Sequence, residues 1–322
     1  MNPTQGQPLP PPTQVVQVEI TEEHHGQRLD NFLITRLKGV PKSHIYRIVR
    51  KGEVRVNKGR VDVSYRLVTG DSVRIPPMRL AERTEAVFVA PNLKQALEQS
   101  VLYEDEGFLI INKPAGFAVH GGSGVSSGII EGLRLLRPDA HFLELVHRLD
   151  KDTSGCLVIA KKRSALRAFH TIFRDNQVQK TYIALLAGQW KKQKFVVNAP
   201  LLKNNAKSGE RMVSISAHGK EAQTTFTRLK CFDIATLVEA APKTGRTHQI
   251  RVHALHLGHP IIGDERYGQD DTNLFFKQKG YKRMFLHAKT LHFLHPTTGV
   301  AMKIHAPLPP QLEILLQNEK PL

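Results

Sequence analysis

Cysteine, tryptophan and long apolar runs are scarce in this chain of 322 residues, which has two cysteines and one tryptophan. Cys156 and Cys231 lie far apart and show no metal-ligand spacing, so the sequence predicts neither a disulfide framework nor a zinc site. No apolar run approaches the roughly 20 residues of a membrane-spanning helix, and the first residues lack the apolar core of a signal peptide. We therefore expect a cytoplasmic protein with no membrane partner.

Acidic residues are also few, and basic residues exceed them widely. The chain has 46 lysines and arginines against 29 acids, a formal net charge of +17 and a pI of 9.9. Such a balance indicates a polyanionic partner, and nucleic acid is favoured over a membrane surface because no amphipathic basic helix stands out. The excess is concentrated between Arg28 and Arg83, where 14 basic residues face 5 acids.

This basic segment has the pattern of a small module. Apolar residues recur at helical spacing before Pro41, and a second helix is predicted to begin with Ser43 as its N-cap and to end at Gly52. One face of this second helix is apolar, and we call the opposite face the basic face: Arg47, Arg50 and Lys51. We expect the apolar face to pack and the basic face to bind phosphate; the alternative is a solvated cationic surface.

Valine-rich segments follow the two helices. The turn Asn57–Gly59 predicts a hairpin whose return strand contains Val61 and Val63, and Val73 and Ile75 predict a further strand. Two helices followed by a small sheet with a basic face resemble the S4 RNA-binding domain. That resemblance implies that the basic face contacts RNA.

The most informative segment runs from His147 to Gly155 and places Asp150 in a turn between two apolar runs. Arg148 and Lys151 favour the ionised form of the Asp150 carboxyl group, which suits a nucleophile or a base better than a general acid. The alternative is an ordinary loop in which the aspartate and Thr153 cap the next element.

The same segment resembles the signature of the RluA-type pseudouridine synthases, which isomerise uridine to pseudouridine in RNA, and the family's catalytic aspartate matches Asp150. Further blocks agree with that family in order: Asn112–Gly116 with Val119–Gly122, Lys180–Ala184, and Thr244–His253 continuing into Gly258–Ile261 and Gly263–Asp264. The similarity spans about residues 15–310.

The resemblance implies roles for further residues. Tyr182 matches the tyrosine that stacks on the target base, and Arg251, in an alternating segment that predicts a strand, matches the arginine that pairs with the catalytic aspartate. Arg148 matches an arginine that enters the RNA stack, and we expect it to point away from the side of Asp150 because strand residues alternate. Residues that could contact RNA or the flipped base are Leu286, Arg246, Thr247 and His248. Core packing or turn formation is the alternative for each.

The expected fold class is α+β: a small S4-type RNA-binding domain followed by a mixed, largely antiparallel-sheet pseudouridine synthase catalytic domain. We predict a disordered tail over 1–14, the S4-like domain over 15–80, a linker over 81–96 and the catalytic domain over 97–317. The expected substrate is RNA, with 23S (large-subunit) ribosomal RNA favoured over transfer RNA, and a monomer is expected.

Two other classes of protein also fit the sequence: a hydrolase and an RNA-binding protein without activity. A nucleoside or glycoside hydrolase would use two carboxylates, for which Asp152 and Asp264 are the second candidates. An S4-type RNA-binding or ribosome-assembly protein would have an inactive body. Neither a cofactor nor a metal is expected, because the histidines that follow Arg246 have no carboxylate partner in a metal-ligand pattern.

Overall fold

The computed structural model describes residues 14–37, 40–78, 90–121, 127–205 and 211–319. The chain divides into two compact units, with the boundary between Val87 and Phe88. Nearly all of the predicted tail lies outside the described residues, as do residues 79–89, which include most of the predicted linker.

The amino-terminal unit contains two helices and a three-stranded sheet. Its elements are β1 (Val16–Glu19), α1 (Leu29–Arg36), α2 (Lys42–Arg50), β2 (Arg55–Val56) and β3 (Ser72–Ile75). The strand order is β1-β3-β2, with antiparallel pairing throughout. Ile45, Ile48 and Val49 of α2 are buried in the core of this unit, whereas the basic face of α2 is exposed. The predicted two-sided helix is thereby confirmed.

Two details of this unit differ from the sequence prediction. Helix α2 begins one residue before Ser43, with Pro41 at the N-cap and no side-chain cap. Proline fixes the extended backbone that precedes the helix, so a serine cap is not needed. The turn after β2 has positive φ at Asn57 and Lys58, as a tight hairpin requires, but Val61 and Val63 form no strand and β2 pairs instead with β3.

The carboxy-terminal unit contains the remaining elements. In its first half these are α3 (Pro91–Glu98), β4 (Val101–Glu104), β5 (Phe108–Lys113), α4 (Ile129–Leu136), β6 (Glu144–Leu145), β7 (Ser154–Ala160), α5 (Arg163–Arg174) and β8 (Gln179–Ala187). They are followed by β9 (Lys194–Asn198), β10 (Leu201–Asn205), β11 (Arg211–Ile215), β12 (Gln223–Cys231), β13 (Ala235–Pro242), α6 (Gln249–His256), α7 (Asp270–Gln278), β14 (Leu286–Leu294), β15 (Ala301–His305) and α8 (Pro310–Asn318).

A mixed sheet organises this unit. Among the described residues it has ten strands, with the path β4-β5-β7-β14-β8-β13-β12-β9, while β15 pairs with β14 and β6 with β7. The β7–β14 pair is parallel and the other pairs are antiparallel. Strands β10 and β11 form a separate antiparallel pair. The predicted mixed, largely antiparallel sheet is confirmed.

Strand β7 lies at the centre of the core, and all seven of its residues are buried. Leu157 and Ile159 pack on one side with α3 and α4, while Val158 packs on the other with Phe169 of α5. Gly155 has φ +110, and a Cβ atom there would overlap the backbone of Ala288 on β14. Glycine at this position therefore permits the parallel β7–β14 contact that follows the Asp150 turn.

Two predictions fail in this unit. The predicted linker overlaps α3, whose Leu93 and Leu97 are buried in the core, so the body includes residues before 97. The segment predicted as a strand around Arg251 is the helix α6. In the described ranges, no helix has both the length and the apolar character needed to cross a membrane.

Candidate active site

The turn that carries Asp150 connects β6 to β7, and hydrogen bonds from Lys113 hold it in place. The Lys113 ammonium group is fully buried and donates to the backbone oxygens of Pro114, Lys151 and Thr153 at 3.0, 2.9 and 2.8 Å. Burial lowers the pKa of Lys113 to about 7, yet three acceptors match the three N–H donors of the charged form. Lys113 therefore fixes the backbone that follows Asp150 in the chain.

The Asp150 carboxylate faces a guanidinium group that a second carboxylate holds. Arg251 Nη1 donates to Asp150 Oδ2 at 3.0 Å, while its Nε and Nη2 donate to the two oxygens of Asp264 at 2.7 and 2.8 Å. Burial disfavours the Arg251 charge, but both carboxylates outweigh it and raise the pKa of Arg251. Burial likewise opposes ionisation of Asp264, and the Arg251 bonds nevertheless lower the pKa of Asp264. Arg251 and Asp264 are therefore both charged at neutral pH.

Helix α6 carries Arg251, and hydrogen bonds of the Gln249 side chain fix the start of this helix. Gln249 Oε1 accepts from Arg246 N and from Thr244 Oγ1 at 3.0 and 2.7 Å, and Gln249 Nε2 donates to Gln223 O at 2.9 Å. The residues from Gln249 to Ala254 are buried. A helix buried on every side shows no polar stripe, so its sequence resembles a strand.

Tyr182 lies near the start of β8 and lines the same cavity as Asp150. It pairs with Ala288 on β14 and with Ala240 on β13, so both of its neighbours across the sheet are small residues. Burial and the negative charge of Asp150 raise the pKa of Tyr182, so its phenol is neutral at physiological pH. Leu286, at the start of β14, is buried and lines the cavity on the same side.

His248 sits at the N-cap of α6 in the left-handed region, with φ 52 and ψ 21. Its Nδ1 lies 2.8 Å from Tyr267 Oη, and its Nε2 lies 3.8 Å from Asp150 Oδ1. Burial lowers the pKa of His248, although the nearby Asp150 opposes the shift. The structure thus places His248 beside the carboxylate, at the wall of the cavity.

Arg148, Arg246 and Thr247 also line this cavity, together with Lys180 from β8. The strand conformation expected at Asp150 was wrong: residues 148–150 form no strand, so strand alternation gives no direction for Arg148, which lines the cavity together with Asp150. Arg246 Nε donates to Glu221 O at 3.0 Å, which fixes its side chain at the rim. The basic face of α2, in contrast, belongs to the amino-terminal unit.

The second carboxylate that a hydrolase would need is not available in this arrangement. Asp264 is 1% exposed, is bound by Arg251, and accepts hydrogen bonds from the backbone N–H groups of Arg266 and Tyr267, each at 3.0 Å. His253, one of the histidines that follow Arg246, is a core residue whose ring nitrogens contact Thr224 Oγ1 at 2.9 Å and Ala199 O at 3.0 Å. Asp152, the other candidate, is exposed and does not line the cavity. Among the described residues that line the cavity, Asp150 is the single carboxylate, and it lies opposite Arg251.

Lys113 and Tyr267 help to build this site although the sequence predicted no role for either, and Asp264, expected only as a possible second reacting carboxylate, holds Arg251 instead. Lys113 and Asp264 lie inside the quoted motif blocks, and a lysine within an apolar strand was a signal that it is buried and must be satisfied. Tyr267 follows Asp264 by three residues and gave no signal of its own.

Comparison with known proteins agrees with this geometry. Residues 107–256 match the family described as RNA pseudouridylate synthase, and residues 27–73 match the S4 domain. The chain is 58% identical to the ribosomal large subunit pseudouridine synthase C of Yersinia pestis, over 92% of each chain. It is 56% identical to the protein of the same name from Escherichia coli (strain K12), over 94% of this chain and 95% of that protein.

Solved structures are also similar to a large part of this chain. Human RNA Pseudouridylate Synthase Domain Containing 1 has 28% sequence identity and a TM-score of 0.57, covering 69% of this chain and 88% of that chain. Human RNA Pseudouridylate Synthase Domain Containing 4 has 27% identity and a TM-score of 0.58, covering 70% of this chain and 95% of that chain.

Proposed function

This chain belongs to the RNA pseudouridylate synthase family and is an RNA pseudouridine synthase with an S4 domain, and we propose that it isomerises specific uridines of large-subunit ribosomal RNA. The names of relatives that align over nearly their whole length support the choice of RNA. The observation that carries the proposal for the site is the Asp150 carboxylate, bound to Arg251 in a cavity that Tyr182 lines. We also propose that the protein acts in the cytoplasm and that it is a monomer.

The reaction explains why such a cavity is needed. The N1–C1′ bond of uridine must break, the base must turn, and C5 must bond to C1′, while C5 loses a proton and N1 gains one. The base has to leave its stack, which costs a few kcal/mol, and must stay held while it is detached. We assign that holding to Tyr182, whose stacking is worth roughly 1 to 3 kcal/mol, and to Leu286 beside it.

Asp150 is the proposed reacting group. Attack on C1′, addition to C6 of uracil and removal of a ribose proton all require an ionised carboxylate in a fixed position. Arg251 supplies the fixed position, because its hydrogen bond holds the Oδ2 atom of Asp150. The single facing carboxylate favours isomerisation over the two-carboxylate mechanism of a hydrolase.

RNA contacts are assigned to basic residues in each unit. At the cavity, which both residues line, we assign Arg148 to the RNA stack in place of the flipped base and Arg246 to an RNA phosphate. In the amino-terminal unit, the basic face of α2 is exposed and is proposed to bind RNA phosphates.

The test uses purified full-length protein with large-subunit ribosomal RNA fragments and, separately, transfer RNA, followed by analysis of the nucleosides. We expect pseudouridine in the ribosomal fragments, no released uracil, and no product with Asp150→Asn. Released uracil would show a hydrolase, and product in transfer RNA alone would refute the proposed substrate. Unmodified RNA that nevertheless binds tightly would indicate an RNA-binding protein with an inactive body.

A further inference from the structure

The turn from Asp264 to Tyr267 contacts both groups that face Asp150. Its first residue, Asp264, binds the Nε and Nη2 atoms of Arg251 and leaves Nη1 for Asp150. Its last residue, Tyr267, is 5% exposed, and its ring lies under the Arg251 guanidinium, 5.0 Å from the ring centroid. Tyr267 N also donates to Asp264 Oδ1 at 3.0 Å, which closes the turn on itself.

The Tyr267 hydroxyl group contacts the His248 nitrogen that is farther from Asp150. Tyr267 Oη accepts from Val213 N–H at 3.0 Å and lies 2.8 Å from His248 Nδ1, which is the acceptor for the phenol proton in one of the two neutral tautomers of the ring. A neutral imidazole that accepts at Nδ1 carries its proton on Nε2. That nitrogen is the one that lies 3.8 Å from Asp150 Oδ1.

The backbone at His248 reinforces this arrangement. A left-handed conformation is uncommon for a residue other than glycine and costs free energy that the surrounding structure must supply. Here it places the imidazole between Tyr267 Oη and the carboxylate. The 3.8 Å separation exceeds a hydrogen bond, and distances of this kind shorten when substrate closes the site.

We infer that the turn Asp264–Tyr267 is a positioning element for the reaction: Asp264 fixes the Arg251 fork, and Tyr267 fixes the Nε2–H tautomer of His248, so that one N–H donor faces each oxygen of Asp150. This inference rests on the proposed function of Asp150. It gives His248 a role at the carboxylate in place of an RNA contact.

Other charged groups around these side chains define the background for any pH effect. Asp150 is faced by Arg251 and His248. The Asp150 carboxylate also acts electrostatically on Tyr182 and on Lys113. His248 also senses Arg266. Since burial keeps His248 neutral near pH 7, its tautomer decides whether it presents a proton or a lone pair to Asp150.

The first test is Tyr267→Phe in the full-length protein, because phenylalanine keeps the ring under Arg251 and removes only the hydroxyl. Single-turnover pseudouridine formation at saturating RNA is expected to slow about twofold to fivefold, because only the molecules that keep the proton on Nε2 of His248 present a donor to Asp150, with RNA affinity within twofold of wild type. The matched control is Tyr103→Phe, which removes a hydroxyl bonded to Asp105 at 3.0 Å and is expected to keep the wild-type rate.

The tautomer is read directly from the nitrogen-15 shifts of histidine-labelled protein, with His248 assigned by its absence in His248→Gln. Wild type is expected to show the proton on Nε2, and Tyr267→Phe a mixture of both tautomers. An unchanged tautomer, an unchanged rate, or a loss that appears only in RNA affinity would each overturn the inference.

A second pair of variants leaves Tyr267 intact in case its substitution disturbs folding. His248→Gln can place an N–H donor near the Nε2 position, whereas the shorter side chain of His248→Asn cannot reach it. Glutamine is expected to retain at least tenfold more of the rate than asparagine at equal RNA affinity; equal rates would refute the role of Nε2. If wild type forms no pseudouridine, the proposed function fails, and the tautomer measurement still reports on the turn.

Discussion

Replacing Arg251 by methionine removes the cation between two carboxylates and keeps a side chain of similar length. The Asp264 side chain is 0% exposed and loses hydrogen bonds of 2.7 and 2.8 Å, so a buried charge remains without a partner. Removing one member of a buried ion pair costs about 3 to 5 kcal/mol in the free energy of unfolding. Activity is expected to fall at least a hundredfold, because Asp150 also loses its 3.0 Å bond.

The assay is urea unfolding followed by tryptophan fluorescence, since the single tryptophan, Trp190, is buried in the carboxy-terminal unit. Arg137→Met is the control: Arg137 forms a partly exposed pair with Glu104 at 2.7 Å, which is worth less than about 1 kcal/mol. Because Arg251 lowers the pKa of Asp264, the extra stability of wild type is fully present above the pKa of an unfolded aspartate, which is about 4. This stability is lost as the pH falls below that value and through the lower pKa of folded Asp264.

A double variant separates the buried charge from other effects. Arg251→Met combined with Asp264→Asn removes both charges, and the asparagine oxygen can still accept from the backbone of Arg266 and Tyr267. Most of the lost stability is expected to return, while activity stays low. A single variant Arg251→Met within about 1 kcal/mol of wild type, or a double variant as unstable as the single one, would refute this reasoning.

Further outcomes follow from the same structure. Tyr182→Phe is expected to keep stacking and most of the single-turnover rate, whereas Tyr182→Ala loses at least tenfold; equal rates for the two variants would remove the stacking role. His287 is fully buried, with Ser154 Oγ at 3.0 Å from Nδ1 and Ala306 O at 3.1 Å from Nε2, and burial lowers its pKa to about 4. The unfolded chain binds a proton there near pH 6.5, so unfolding free energy should fall by about 3 kcal/mol between pH 6.5 and 4; urea titrations across that range should show a shallower fall for His287→Gln, and parallel curves would contradict this. Alanine substitution of the whole basic face of α2 should reduce the slope of log affinity against log salt by about 2 for single-stranded RNA, at about 0.7 per phosphate contact; a filter-binding slope equal to that of wild type would exclude the face as an RNA contact.

The sequence motifs led to the contact between Asp150 and Arg251, but not to the elements that make it. A glutamine, isoleucine, arginine, valine and histidine in succession alternate like a strand, and β-branched residues favour that interpretation. The segment is a helix because Gln249 closes the turn before it and every residue through Ala254 is buried. Burial on all sides is a tertiary property that local periodicity does not encode.

Some contacts around Asp150 could be predicted from local sequence order, and others depend on long-range packing. Asp150 and Thr153 could be recognised from their order in one segment, whereas Lys113 reaches that segment from a strand 38 residues away from Lys151. Asp264 was considered only as a second reacting carboxylate, since its pairing with Arg251 depends on how α6 packs. Local order therefore pointed to the proposed reacting group, and long-range packing supplies the groups that hold it.

The helix α2 is the converse case, where sequence reasoning needed no tertiary information. Its apolar and basic residues separate at 100° per residue, and the buried and exposed positions follow that separation. The error at Ser43 arose because Pro41 already fixes the backbone at the helix start.

The most direct test of the central claim maps pseudouridines at nucleotide resolution in ribosomal RNA from cells lacking this gene, complemented by wild type or by Asp150→Asn. The account predicts that specific large-subunit positions lose pseudouridine, that wild type restores them, and that Asp150→Asn, present at equal abundance, does not. An unchanged map in the deletion strain, or restoration by Asp150→Asn, would contradict it.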